Sequence, residues 1–215
     1  MNCSCPSDYQ KVFSQRAAAA TANRFRRRGL TGTSRTIVST LTESGFEGRS
    51  VLEIGGGIGE IPVTLLERGL AGTATNVELA ANWETAAHDL LLEKGLHERV
   101  KRLRGDFVDI ASSIPNADLV ILNRVVCCYP DWRTLLGSAV SRTDRCLVMS
   151  FPRPWSRSLL WIENLLHRLR GRSFRAYVHP PEAMIGSLIS FGFQVEAEAA
   201  SLVWRTVLLA RGAHS

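Results

Sequence analysis

Apolar positions in this chain recur with two periods, and the change from one to the other divides it into parts. From Asp8 to Arg28, Tyr9, Val12, Phe13, Ala17, Ala20 and Phe25 recur at helical spacing, and Arg24 to Arg28 closes the run before Gly29. A second helix is predicted from Thr33 to Ser44, with Ile37, Val38 and Leu41 on one face and Gly45 behind it. Short apolar runs then alternate with helical ones. Strands are predicted at Ser50–Ile54, Thr73–Glu78, Arg99–Arg104, Ala117–Leu122 and Arg145–Phe151. Helices fall between them: Ile61 to about Gly69, a stretch through Glu93 that stops at Gly95, and Asp131 to about Ser141 with Asp131 as N-cap.

Strand–helix–strand repetition implies a parallel sheet with right-handed crossovers and a ligand site at the C-terminal ends of the strands. The end of the chain departs from it. Phe193–Ala199 and Leu202–Ala210 both alternate as strands across a short connection, which makes a hairpin with an antiparallel last strand. The two N-terminal helices precede the first strand and are expected on the sheet's edge or over its mouth. Phe13 and Phe25 suit either core packing or a lid.

At 215 residues the chain is expected to form one domain, and 45% hydrophobic with 21% charged residues is ordinary globular composition. No uncharged apolar stretch approaches the ~18 residues of a membrane span, and the N-terminus has no signal-peptide pattern. A cytoplasmic location is expected. Five cysteines cannot all pair, adjacent Cys127–Cys128 suits a disulfide poorly, and no Cys/His spacing suggests a metal site. Of the 26 basic residues 23 are arginine, and the net charge is +6. Two arginine clusters stand out, Arg24–Arg28 and the stretch Trp155–Arg172. The second is a basic amphipathic helix, suited to packing on the sheet or to a membrane surface or partner.

The chemistry concentrates at Val51-Leu52-Glu53-Ile54-Gly55-Gly56-Gly57-Ile58-Gly59-Glu60. An apolar strand ends in glycines at 55, 57 and 59 and leads into a helix carrying Pro62 in its first turn. A dinucleotide fingerprint needs glycine at 60, where Glu60 would face a pyrophosphate, and no P-loop pattern is present. Glu78 closes the second strand, where a carboxylate can accept both hydroxyls of a ribose.

The pattern E-x-G-x-G-x-G resembles motif I of the class I S-adenosylmethionine (SAM)-dependent methyltransferases, and the resemblance runs over roughly Ser50 to Arg211. It implies an α/β fold, a Rossmann-like three-layer sandwich with a mostly parallel seven-stranded sheet, a C-terminal antiparallel hairpin and N-terminal helices. It further implies SAM as cofactor, held by Glu53, Gly55, Gly57, Gly59, Glu78, Leu79, Asp106, Phe107 and Asn123. In that family an acidic residue placed as Asp106 is bonds the adenine amino group, and the next side chain, here Phe107, packs on the ring. Residues 1–45 are expected as a helical lid on a SAM-binding domain of residues 46–215, with a substrate-covering insertion at about 152–190. Asn123 to Pro130 and the layout after the fifth strand look loosely like small-molecule methyltransferases of the magnesium-protoporphyrin type.

Methyl transfer from a sulfonium is an in-line displacement whose leaving group needs no acid, so no single obligatory catalytic residue is expected. His179, Arg124 and Tyr129 are the catalytic candidates: His179 as base or donor, Arg124 as a partner for an acceptor carboxylate. The expected function is methyl transfer to O, N or C of a small-molecule acceptor. A homodimer is the expected assembly, and nucleic acid is disfavoured for want of interleaved aromatics. Methylation of RNA or protein stays an alternative, as does a nicotinamide-dependent oxidoreductase on a similar sheet.

Overall fold

The computed structural model describes residues 10–157, 164–166, 168–169 and 174–212. The start of the expected first helix at Asp8, and most of the basic helix drawn from Trp155 to Arg172, lie outside them. Helix α1 spans Gln15–Arg28 and not Asp8–Arg28, because Ser14 caps it by accepting from the Ala17 N–H at 3.3 Å. Residues 10–12 are helical as well, so the expected helix is interrupted at Phe13 and Ser14. Helix α2 is Gly32–Glu43.

Then follow β1 (Ser50–Ile54), α3 (Glu60–Glu67), β2 (Thr73–Glu78), α4 (Glu84–Glu93), β3 (Val100–Arg104) and the short α5 (Phe107–Ile110). Next come β4 (Ala117–Asn123), α6 (Trp132–Val140), β5 (Thr143–Pro152), α7 (Pro181–Ser190), β6 (Phe193–Ala200) and β7 (Trp204–Arg211). Helix α7 was not foreseen, although Met184, Ile185 and Leu188 lie buried at helical spacing behind Pro180–Pro181.

The sheet has seven strands in the order β3-β2-β1-β4-β5-β7-β6. All neighbours are parallel except those of β7, which inserts antiparallel between β5 and β6. Because β7 continues its pairing to Trp204 opposite Pro152, β5 runs one residue beyond the expected Phe151. Alternate strand residues feed opposite faces. Val51, Leu119 and Ile121 join a core with α1 to α4, while Leu52, Val120 and Leu122 join one with α6 and α7. Helix α2 is a layer helix, against β4 to β7, instead of lying on the edge. Phe25 is in this core; Phe13 is not.

Parallel register carries polar side chains to one level below the strands' C-terminal ends. Glu53 pairs with Asn76, Asn76 with Arg102, and Asn123 with Ser150.

Candidate active site

The turn after β1 folds because its glycines permit it. Gly55, Gly57 and Gly59 have φ of 62°, 55° and 78°, and Gly59, left-handed, stands at the N-cap of α3. Beneath the turn runs a cross-strand row. Arg102 donates to Asn76 Oδ1 at 3.1 Å and to the Gly57 carbonyl at 3.0 Å, and Asn76 donates to Glu53 Oε2 at 2.7 Å. Glu84 takes the remaining guanidinium edge at 2.8 and 3.1 Å. Neither Asn76 nor Arg102 was singled out from the sequence. Nothing in the sequence sets Asn76 apart from Thr73, Thr75 and Glu78, the other polar residues of its strand.

Glu53 is only 2% exposed. Burial raises its carboxyl well above the usual range, Glu60 and Glu78 push the same way, and Arg102 and Asn76 oppose them. Glu78 is raised by burial too, against the N–H groups of Ala80 and Gly57, each 2.8 Å from one of its oxygens. Asp106 caps α5 through the Val108 N–H at 3.0 Å and takes the Tyr129 hydroxyl at 3.4 Å; burial raises it as well.

Glu53, Glu78 and Asp106 border one shared hollow of about 470 Å³, within the range of ~300–1,000 Å³ usual for ligand sites. Leu79, Phe107 and Asn123 border it too, as do Gly55 and Gly57. Gly59 does not: it shapes the turn from behind. The indole N–H of Trp83, in the wall, is buried without an acceptor among the described residues.

Asn123 belongs to a second polar line. It accepts from Ser150 Oγ at 2.8 Å and donates to Ser34 Oγ at 3.1 Å, and Ser34 donates to Glu60 at 2.5 Å. Helix α2 is thereby tied to the glycine turn, a link that no sequence spacing signals. Arg24 lies 4.0 Å from Glu60.

The catalytic candidates separate. Arg124 and Tyr129 border the hollow, and Tyr129 is committed to Asp106. His179 is not among the residues that border it. Its Nε2–H donates to the Tyr129 carbonyl at 2.9 Å, and its ring stacks on Tyr177 with centroids 5.5 Å apart. Burial lowers its pKa against the carbonyls of Tyr129 and Val126. The ring props the loop that carries Tyr129. His179→Asn is expected to lower stability by about 1 kcal/mol in chemical denaturation and to leave turnover near wild type. Loss of turnover at unchanged stability would return the ring to catalysis.

A family profile described as the O-methyltransferase domain matches residues 7–138. No curated protein matches the chain. Among solved structures the chain is similar to a magnesium protoporphyrin IX methyltransferase from Synechocystis PCC 6803 with bound SAH. That match has a TM-score of 0.68 at 19% identity, over 94% of this chain and 100% of that one. It is similar also to an O-methyltransferase family protein from Burkholderia thailandensis, with a TM-score of 0.73 at 19% identity, over 96% and 64% of the two chains. An N,N-8-amino-8-demethyl-D-riboflavin dimethyltransferase from Streptomyces davawensis matches with 0.59 at 20%, over 83% and 53%. This chain thus spans less than two thirds of the length of the last two.

Proposed function

The chain belongs to the family of O-methyltransferase domains and is a methyltransferase that uses S-adenosylmethionine; from that premise we propose that it methylates an oxygen of a small-molecule acceptor. Bound in the hollow, SAM supplies an electrophilic methyl group on a sulfonium. Glu78 holds the ribose hydroxyls, Asp106 the adenine amino group, and Phe107 and Leu79 form the ring's apolar walls. Glu53 acts below the turn: it holds Asn76 and, through it, the level at which Gly56 and Gly57 meet the ligand. Tyr129 keeps the Asp106 carboxyl oriented, a positioning role. Asn123, locked by Ser150 and Ser34, keeps the end of β4 level with the methyl group. The chain's task is alignment of nucleophile and methyl, where effective molarity supplies about 7–11 kcal/mol.

The observation that carries this reading is that Glu53, Glu78 and Asp106, from three strand ends, face one hollow beside a left-handed glycine turn. Glu60 begins α3 where a dinucleotide enzyme needs glycine, and β7 runs antiparallel, both of which disfavour the nicotinamide alternative. Of the expected lid over residues 1–45, α1 and α2 pack into the core and leave the segment carrying Phe13 for a lid; of the expected cover over 152–190, α7 is likewise core and the part before it is left to cover the acceptor. Phe13 from the first and Phe174 from the second support this, meeting edge to face with centroids 5.7 Å apart. No helix of the described residues is long and apolar enough to cross a membrane. Cytoplasmic work suits a chain whose five cysteines cannot all pair, and a homodimer is the assembly that light scattering tests.

Calorimetry with SAM and SAH tests the cofactor assignment. Both are expected to bind, and Glu78→Ala is expected to weaken them by about 1–3 kcal/mol through lost ribose bonds. Glu78→Gln, which still accepts one bond, is expected to fall between. Wild-type affinity in the alanine variant removes Glu78 from the site.

A further inference from the structure

Arg124 is the non-glycine residue with positive φ, 61°, among the described residues. Such a conformation is strained for a side chain other than glycine, and persists where its surroundings over-determine it. Here they do. Asn123 is the last residue of β4, and the Arg124 N–H is held by Ser150, at 2.9 Å from its hydroxyl and 3.3 Å from its carbonyl. The Arg124 carbonyl accepts from the thiols of Cys127 and Cys128 at 3.3 and 3.5 Å. Chain direction thus reverses at this residue, and its side chain is sent across to β7, where the guanidinium carbon lies 4.6 Å from the centre of the Trp204 ring. Both residues border the hollow.

Stacking on an indole uses the flat face of the guanidinium and leaves its N–H rim open. That rim has no hydrogen-bond or ion-pair partner among the described residues. The other guanidinium groups near the site differ. Arg24 has Glu60 at 4.0 Å, and Arg102 is fully bonded beneath the turn. Arg124 is therefore an exposed cation placed at the hollow by its backbone and by Trp204, with no ion-pair partner among the described residues. Phe13 and Phe174, edge to face with each other, border the same hollow and add apolar surface to it.

Resting on the methyltransferase reading, we propose that the acceptor is a planar carboxylic acid whose carboxylate docks on the rim of Arg124, with its ring beside Trp204 and the Phe13–Phe174 pair. A carboxylate suits a guanidinium fork in bidentate geometry. Arg124 is then the specificity residue of the acceptor side.

The test uses 2-naphthoate and 2-naphthamide, isosteric and different in charge, titrated by ligand-observed NMR into protein saturated with SAH. Wild type is expected to prefer the acid by roughly ten- to a hundredfold. Arg124→Asn, which tolerates the left-handed backbone, is expected to bring the pair within twofold, and Arg124→Lys to keep part of the preference as a point charge. SAH titrated alone keeps the two readings apart. SAH affinity near wild type in every variant, with the acid preference lost in Arg124→Asn, supports the proposal. SAH bound but acid and amide equal in wild type, or the preference intact in Arg124→Asn, overturns the Arg124 assignment and leaves the methyl-donor site standing. Failure of wild type to bind SAH overturns both.

Discussion

Alanine in place of Gly56 is expected to abolish measurable SAH binding and to lower stability by about 1–3 kcal/mol, the usual cost of overpacking a filled interior. A Cβ built on Gly56 falls within van der Waals radii of Asn76 Nδ2 and Glu53 Oε2. Neither atom can swing away. They are bonded to each other at 2.7 Å, Asn76 is wholly buried and Glu53 is nearly so. The turn must lift instead, and its lift carries Gly55 and Gly57 into the space where the ligand lies. Gly137→Ala in α6 is the control, because a Cβ there meets nothing within 4 Å and the residue is helical. That change is expected to leave SAH binding intact and to raise stability by a few tenths to about 1 kcal/mol. Calorimetry and chemical denaturation on both variants decide it. Wild-type SAH affinity in Gly56→Ala would mean that the turn does not touch the cofactor.

That collision explains what in this fold was legible beforehand. Strand limits came out well, at Ser50–Ile54 and Thr73–Glu78, because the first ends in the glycine turn after Ile54 and the second in the acid Glu78. The glycines at 55, 57 and 59 were legible because left-handed backbone leaves a residue-type mark. Glu53, Glu78 and Asp106 were legible as strand-end acids, and they do converge. Asn76 and Arg102 were not, because a row across three strands depends on register, and register is a relation between distant segments. The surroundings of His179 were not legible either: its neighbours in the chain include Tyr177, but its bond goes to Tyr129, fifty residues away. The interruption of the first helix at Phe13 and Ser14, between residues 10–12 and α1, was not legible, because a serine can stand inside a helix as well as cap one.

Arg102→Leu is expected to show how much of the site hangs on that row. Arg102 has 10% of its side chain exposed and serves four acceptors: Asn76 Oδ1, the Gly57 carbonyl and both oxygens of Glu84. Leucine fills much of the volume but leaves the first two acceptors dry. The Glu84 carboxylate, 37% exposed, can turn to water, so its share of the loss is discounted. About 2–4 kcal/mol of stability should go, together with most of the SAH affinity, since the Gly57 carbonyl no longer anchors the turn. The loss should also depend on pH. Arg102 lowers the pKa of both Glu53 and Glu78, whose burial has raised them above 4.5. A carboxyl raised on folding keeps its proton in the native state while the unfolded chain gives it up, so native stability falls as pH climbs from 4.5 through the folded pKa. Without the guanidinium both carboxyls rise further, and the stability deficit of Arg102→Leu should be smaller at pH 5 than at pH 8. Adding Glu53→Gln to Arg102→Leu removes the more deeply buried of the two acids and should flatten that slope. Denaturation midpoints across pH 5 to 8 for the single and double variants test it. A deficit that is constant with pH would mean that Arg102 steadies the turn by hydrogen bonding alone, with the charge of Glu53 carried by some other group.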